Sequence, residues 1–229
     1  MGMMNSELNH FLDLAEDYLM DGFRHDHPPL SSASEGEPPP VASRRHDLDT
    51  VAREVAGCTA CPLHRERLNT VAGEGAIDPL VMVIGEGPGA EEDRSGKPFV
   101  GRAGNYLDRW LAAIALDRRS NCFIGNIVKC RPPGNRDPLP EESATCLPYL
   151  KRQIEILKPK TILTLGRIAT QILCDRSEGI GRLRGQDLDY LGIPVVATYH
   201  PSAVLRNTDL RAAVWEDLKR LRALLDRMP

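Results

Sequence analysis

LVMVIGEGPG, residues 80–89, is an apolar run that empties into a glycine-rich turn. From Leu80 to Ile84 no polar residue interrupts the run, as expected of a strand covered on both faces rather than one lying at the surface. Three further runs share the pattern: Cys122 to Val128, Thr161 to Leu165 and Val195 to Tyr199. Helical stretches lie between them, at Ala103 to Ala115, Pro140 to Leu157 (with Pro148 as a candidate kink), Ile168 to Cys174 and Asp209 to Asp226. Strands alternating with helices predict an α/β fold: a three-layer α/β/α sandwich around a central, four-stranded, mainly parallel sheet.

Upstream the composition changes. Residues 7–20 place Leu8, Phe11, Leu12, Ala15 and Leu19 at helical spacing, while Asp26 to Arg45 is rich in proline and small polar residues and reads as a linker. The expected division is a leading helix and acidic linker over 1–46, then one domain over 47–229. Residues 1–45 carry eight acids and three bases, so the net charge of −3 conceals a balance of 26 bases to 24 acids in the remainder. That balance permits a local basic face. No apolar run reaches the roughly 18–20 residues of a membrane span, and the acidic N-terminus is unlike a signal peptide. A cytoplasmic monomer with no membrane attachment is the expectation.

In a parallel sheet, ligands bind outside the C-terminal strand ends. The first run exits at Gly85-Glu86-Gly87-Pro88-Gly89, the second carries Asn126 near its end, the third exits at Gly166, and the fourth at His200-Pro201-Ser202. The turn departs from the dinucleotide fingerprint, because Pro88 and the acids Glu91, Glu92 and Asp93 would repel a pyrophosphate. Ser95-Gly96-Lys97-Pro98 lacks the glycine spacing of a P-loop.

Six cysteines in a reducing compartment point to metal ligands or small buried residues rather than disulfides. Cys58 and Cys61 form a C-x2-C pair, and Cys130 and Cys146 follow the second strand with fifteen residues between them. Together they make a four-thiolate set suited to either structural zinc or an iron–sulfur cluster. Cys122, within a strand, and Cys174, within a helix, read as buried and inert.

Three longer stretches, GEGPGAEEDRSGKPFVGRAG from Gly85, NIVKCRPPGNRDPLPEE from Asn126 and YHPSAVLRN from Tyr199, resemble in order and spacing the family 4 uracil-DNA glycosylases, the iron–sulfur branch of their superfamily. The resemblance runs from about Cys58 to Leu225. It implies base flipping and hydrolysis of the N-glycosidic bond of uracil in DNA, with Cys58, Cys61, Cys130 and Cys146 holding a 4Fe-4S cluster. Phe99 is implied as the ring on which the extruded base stacks, Asn126 as the amide that reads uracil O4 and N3–H, and Glu92 as the wall that excludes the thymine methyl. His200 is implied as the donor to uracil O2. Gly85, Glu86 and Gly87 are the candidate lining of the uracil and sugar. Gly87 stands where relatives of another branch carry a water-positioning aspartate, which leaves Glu86 as the candidate to orient water. Ser202 is a candidate phosphate contact, and Val204-Leu205-Arg206 a candidate minor-groove wedge, with Leu205 and Arg206 on the DNA.

Two other readings compete. One is a non-turnover relative that attaches to uracil-DNA through a histidine after the stacking phenylalanine; here that loop, Val100 to Gly104, has none. The other is a nucleotide-binding enzyme built on the glycine-rich turn.

Overall fold

The computed structural model describes residues 41–228; the helix expected over 7–20 and the linker up to residue 40 lie outside them. The described residues 41–228 belong to one compact unit. Its first element is helix α1 (Val41–Gly57), which starts ahead of the domain boundary expected at Asp47 and takes in the last residues assigned to the linker. The reason is Arg44, a buried residue that donates to the Ile77 carbonyl at 3.3 Å and the Asp78 carboxylate at 3.0 Å. Leu48, Val51 and Val55 follow on the buried face.

The sheet is built from β1 (Glu74–Gly75), β2 (Val81–Gly85), β3 (Cys122–Asn126), β4 (Thr161–Leu165), β5 (Leu188–Tyr190) and β6 (Ile193–Thr198), in the order β1-β3-β2-β4-β6-β5. The four apolar runs form its parallel centre: β2 pairs with β3 and β4, and β4 with β6. The expected four strands are flanked by two short antiparallel ones, β1 on β3 and β5 on β6. Neither edge strand is long enough to display an alternating pattern.

Helices α2 (Ala90–Ser95), α3 (Arg102–Ala113), α4 (Pro140–Leu157), α5 (Arg167–Cys174), α6 (Ile180–Leu183), α7 (Pro201–Arg206) and α8 (Arg211–Leu225) complete the unit. Side chains alternate across β2, so the sheet separates two cores. Met82 and Ile84 pack with Leu150, Ile154 and Leu157 of α4 and Leu173 of α5. Val81 and Val83 pack with Leu107 and Leu111 of α3 and Val214, Leu218 and Leu221 of α8. Helices therefore cover both faces, and α4 runs unbroken through Pro148. Among the described residues no helix is long and apolar enough to cross a membrane.

Because β2 leads to β3 on one side and the chain then crosses to β4 on the other, the direction of winding reverses at β2. That reversal opens a crevice beyond the C-terminal ends of the strands.

Candidate active site

The crevice holds a cavity of about 420 Å³ whose lining includes Glu86, Phe99, Asn126, Arg167 and His200. Each is delivered by a different segment: the turn after β2, the loop before α3, the end of β3, the start of α5 and the N-cap of α7, two residues beyond β6.

Asn126 is 1% exposed, and neither its Oδ1 nor its Nδ2 has a hydrogen-bond partner. Leaving a buried amide unsatisfied costs about 1–3 kcal/mol per group. In a native site such an orphan calls for a partner from outside the protein, an ordered water or a polar ligand. Gly85, paired with Asn126 across the sheet, makes room for it: a Cβ there would lie 2.5 Å from Asn126 Oδ1 and 2.6 Å from Phe99 Cζ. Gly85 thus backs both the amide and the ring, while Glu86 and Gly87 face the cavity.

Phe99 is held in the left-handed region, φ 52°, a conformation that costs a non-glycine residue about 1–3 kcal/mol. Its restraint comes from two sides. Arg118, paired with Asp108, donates to the carbonyls of Pro98 at 3.0 Å and Phe99 at 2.8 Å. The first turn of α3 presses on the same carbonyl, and a Cβ on Gly104 would sit 1.9 Å from it. Replacing Gly104 with Ala should therefore cost about 1–3 kcal/mol of stability by overpacking and slow any reaction that uses the ring. Urea unfolding checks the first effect, and unchanged stability would mean that the loop yields freely.

His200 lies beside this ring, with centroids 5.7 Å apart. It caps α7: Nδ1 accepts the Ser202 backbone N–H at 3.2 Å and lies 2.8 Å from the Ser202 hydroxyl. With Nδ1 an acceptor, the ring proton sits on Nε2. Burial, assisted by the Arg206 charge and opposed by Glu92, lowers the imidazole pKa to about 4. The ring is neutral at physiological pH, with Nε2 carrying the proton as a potential donor. Gly166, at φ 90°, lets β4 turn beneath it, since a Cβ there would approach His200 Cβ to 3.1 Å.

Glu86 has its carboxyl pushed up to about 7, first by burial and then by Asp137, with Arg167 pulling the other way. Asp137 and Arg167 pair at 2.5 Å, and Arg136 clamps buried Glu142 through two contacts of 2.7 and 2.8 Å. Arg136, Asp137 and Arg167 line the cavity and are not among the residues singled out from the sequence. The only advance signal was that Arg136 and Asp137 lie within the second quoted stretch.

Glu92 faces the cavity, but both carboxylate oxygens are taken by the backbone. One accepts from Gly89 N–H at 3.1 Å, and the other from Val100 and Gly101 at 2.9 and 3.0 Å. It acts as a brace for the loop around Phe99. The three-residue wedge needs correction: Val204 is fully buried and packs in the core, whereas Leu205 is 39% exposed and Arg206 is exposed beside the cavity. The His-Pro-Ser exit is the start of helix α7, and Val204 lies on its buried side.

Cys58, Cys61, Cys130 and Cys146 line one small gap away from the cavity. Arg67 donates to Cys130 Sγ at 3.2 Å, and the Lys129 backbone N–H to Cys146 Sγ at 3.2 Å. Donors aimed at sulfur suit thiolate ligands. Among the described residues no three His, Cys, Asp or Glu side chains are grouped closely enough to share one metal ion. Cys122 is fully buried, with its thiol raised to about 12 by burial. Cys174, expected to be buried, is half-buried at the end of α5, and burial still raises its thiol to about 11.

A β2-centred sandwich whose strand ends present an aromatic ring, an unsatisfied amide and a neutral imidazole to one cavity is the arrangement of a base-excising enzyme, and the Uracil DNA glycosylase superfamily matches residues 72–219. The chain belongs to that superfamily, and within it to the type-4 uracil-DNA glycosylases. It is 44% identical over 187 residues to the type-4 uracil-DNA glycosylase of Thermotoga maritima, covering 80% of this chain and 97% of the relative. The type-4 uracil-DNA glycosylase of Pyrobaculum aerophilum is 44% identical over 180 residues, covering 75% and 91%. That of Saccharolobus solfataricus is 44% identical over 191 residues, covering 80% and 88%.

Proposed function

We propose that this chain excises uracil from DNA by hydrolysing its N-glycosidic bond, leaving an abasic site, and that the cavity beyond β2 is where it does so. The observation that carries the reading is the buried, unpartnered amide of Asn126 beside Phe99 and His200. A side-chain amide meets uracil's edge with one donor and one acceptor, toward O4 and N3–H. Extruding the base costs a few kcal/mol of stacking and pairing, and stacking on Phe99 returns about 1–3 kcal/mol.

As the glycosidic bond breaks, negative charge gathers on the uracil, chiefly at O2, and the sugar becomes cationic. The Nε2–H of His200 donates to O2. A neutral imidazole does this without having to lose a proton, and its tautomer is already set by Ser202. Glu86 orients the water that captures the sugar cation, and Glu92 holds the loop that forms the wall beside uracil C5. Arg206, Ser202 and Leu205 meet the DNA backbone and the gap left by the flipped base.

Purified full-length chain, incubated with oligonucleotides containing a single uracil, thymine or cytosine, should release free uracil over many turnovers. The other two strands should stay intact, with no protein–DNA adduct surviving denaturation. Absence of uracil release, or an adduct in its place, would overturn the reading.

The pH dependence follows from Glu86. If its carboxylate orients water, cleavage rises as the pH climbs through about 7 and is flat above. Glu86→Gln should lower the rate and erase that arm; a variant with the same profile would remove Glu86 from the reaction. The same shift acts on folding in the opposite sense. A carboxyl raised in the folded state retains its proton between its ordinary value of 4.5 and about 7, so stability declines across that window as pH rises.

The four cysteines hold a 4Fe-4S cluster. All four thiols line one gap, and the donors aimed at Cys130 and Cys146 suit the negative charge of a thiolate-held cluster. Its role is to staple the segment after α1 to the loop after β3 and to α4. Cys130→Ala should lose iron and visible absorption and lower the Tm; a colourless, iron-free parent protein would exclude the cluster.

A further inference from the structure

We propose that Lys129 is a positioning residue that acts through Asn126, fixing the strand end from which the base-reading amide projects. The inference rests on Asn126 reading uracil as argued above.

Lys129 is 1% exposed, and a lysine so buried ordinarily has a carboxylate partner. Its Nζ instead donates to two neutral oxygens, the backbone carbonyl of Asn126 at 3.0 Å and Gln153 Oε1 at 2.7 Å. Gln153, itself 2% exposed, has its amide orientation fixed, because its Nε2 donates to the Ala72 carbonyl at 2.8 Å. The main chain of Lys129 is tied as firmly: its N–H donates to Cys146 Sγ, and its carbonyl accepts from Val71 N–H at 2.8 Å. One side chain therefore joins the carbonyl of Asn126 to α4, the helix that carries Cys146, and through Gln153 to the segment before β1.

An apolar residue would fill this space without the desolvation cost of an amine. What it would lack is a donor to hold the Asn126 carbonyl. The Asn126 side chain has no hydrogen bond of its own to set its direction, so its aim depends on its main chain. Lys129 supplies that aim from the face of the sheet opposite Phe99, among the residues of α4.

The test is a double-mutant cycle in the full-length, iron-loaded chain. Asn126→Ala, Lys129→Met and the double variant are compared by single-turnover cleavage of a uracil oligonucleotide, affinity for abasic-site DNA, iron content and Tm. Lys129→Met should slow cleavage about tenfold, the worth of one net hydrogen bond, with iron content and abasic-DNA affinity unchanged. The double variant should be no slower than Asn126→Ala alone, because the lysine has nothing left to position. Gln153→Leu, which removes the side-chain acceptor of Nζ, should follow Lys129→Met in direction. Losses that multiply in the double variant would overturn the proposal, as would a Lys129→Met enzyme of parent rate. Should Lys129→Met fail to fold, the cycle between Gln153→Leu and Asn126→Ala decides on the same criterion. Asn126→Ala cleaving at the parent rate would instead overturn the base-reading assignment itself.

Discussion

His200→Ala should lower the single-turnover cleavage rate by about 100-fold or more while leaving binding to uracil-containing DNA nearly intact. The magnitude is that of a lost donor aimed at charge that develops in the transition state, about 2.7–4 kcal/mol. Binding survives because Phe99 and Asn126 still hold the base, and O2 in the ground state gains little from the extra hydrogen bond. His200→Gln is the informative companion, since an amide donor in the same place should recover part of the loss. The imidazole should also fail to appear in the pH–rate profile near its ordinary 6.5, because burial has lowered it to about 4. Its effect on stability has a definite sign. The unfolded chain takes up this proton near 6.5 and the folded chain only near 4, so stability falls as pH drops across that interval. A near-normal rate for His200→Ala would take the imidazole out of the reaction.

Asn126→Asp should lower cleavage of uracil by about 100-fold or more and erode discrimination against cytosine. Sites built to hydrogen-bond a particular edge discriminate by large factors, about 10⁴–10⁵ in well-developed cases, because a mismatch strands buried polar groups. The substitution exchanges the donor facing uracil O4 for an acceptor, placing two acceptors against each other. The exocyclic amine of cytosine is a donor and would meet the new oxygen favourably. Measuring cleavage of matched uracil and cytosine oligonucleotides checks this. An unchanged ratio would show that the amide does not read the base.

Much of this was legible in the sequence because burial on both faces forces strands to be continuously apolar: the runs beginning at Leu80, Cys122, Thr161 and Val195 are the four parallel strands. Strand ends then located Asn126 and His200 without reference to any side-chain contact. Less legible were elements whose formation depends on distant partners. Helix α1 follows a proline-rich stretch and buries Arg44, whose acceptors near Asp78 lie far along the chain. The edge strands Glu74–Gly75 and Leu188–Tyr190 exist because a neighbour offers them hydrogen bonds.

At the site, residue type identified the groups that meet the base but not those that hold them. Nothing in Arg118 announces that it restrains the carbonyl of Phe99. Glu92 lines the cavity, but nothing in its residue type announces that its carboxylate accepts from three backbone N–H groups. Val204, placed by position among DNA-facing residues, turned inward because helix α7 buries one side. Lys129 did carry a signal: it continues the apolar run ending at Val128, where a lysine must be buried and must have partners.

Crystals soaked with free uracil, the product, test the central claim most directly. The base should lie against the Phe99 ring, with O4 and N3–H on the Asn126 amide and O2 within hydrogen-bonding distance of His200 Nε2. Uracil bound elsewhere, or bound in the cavity with the Asn126 amide turned away from it, would contradict the account.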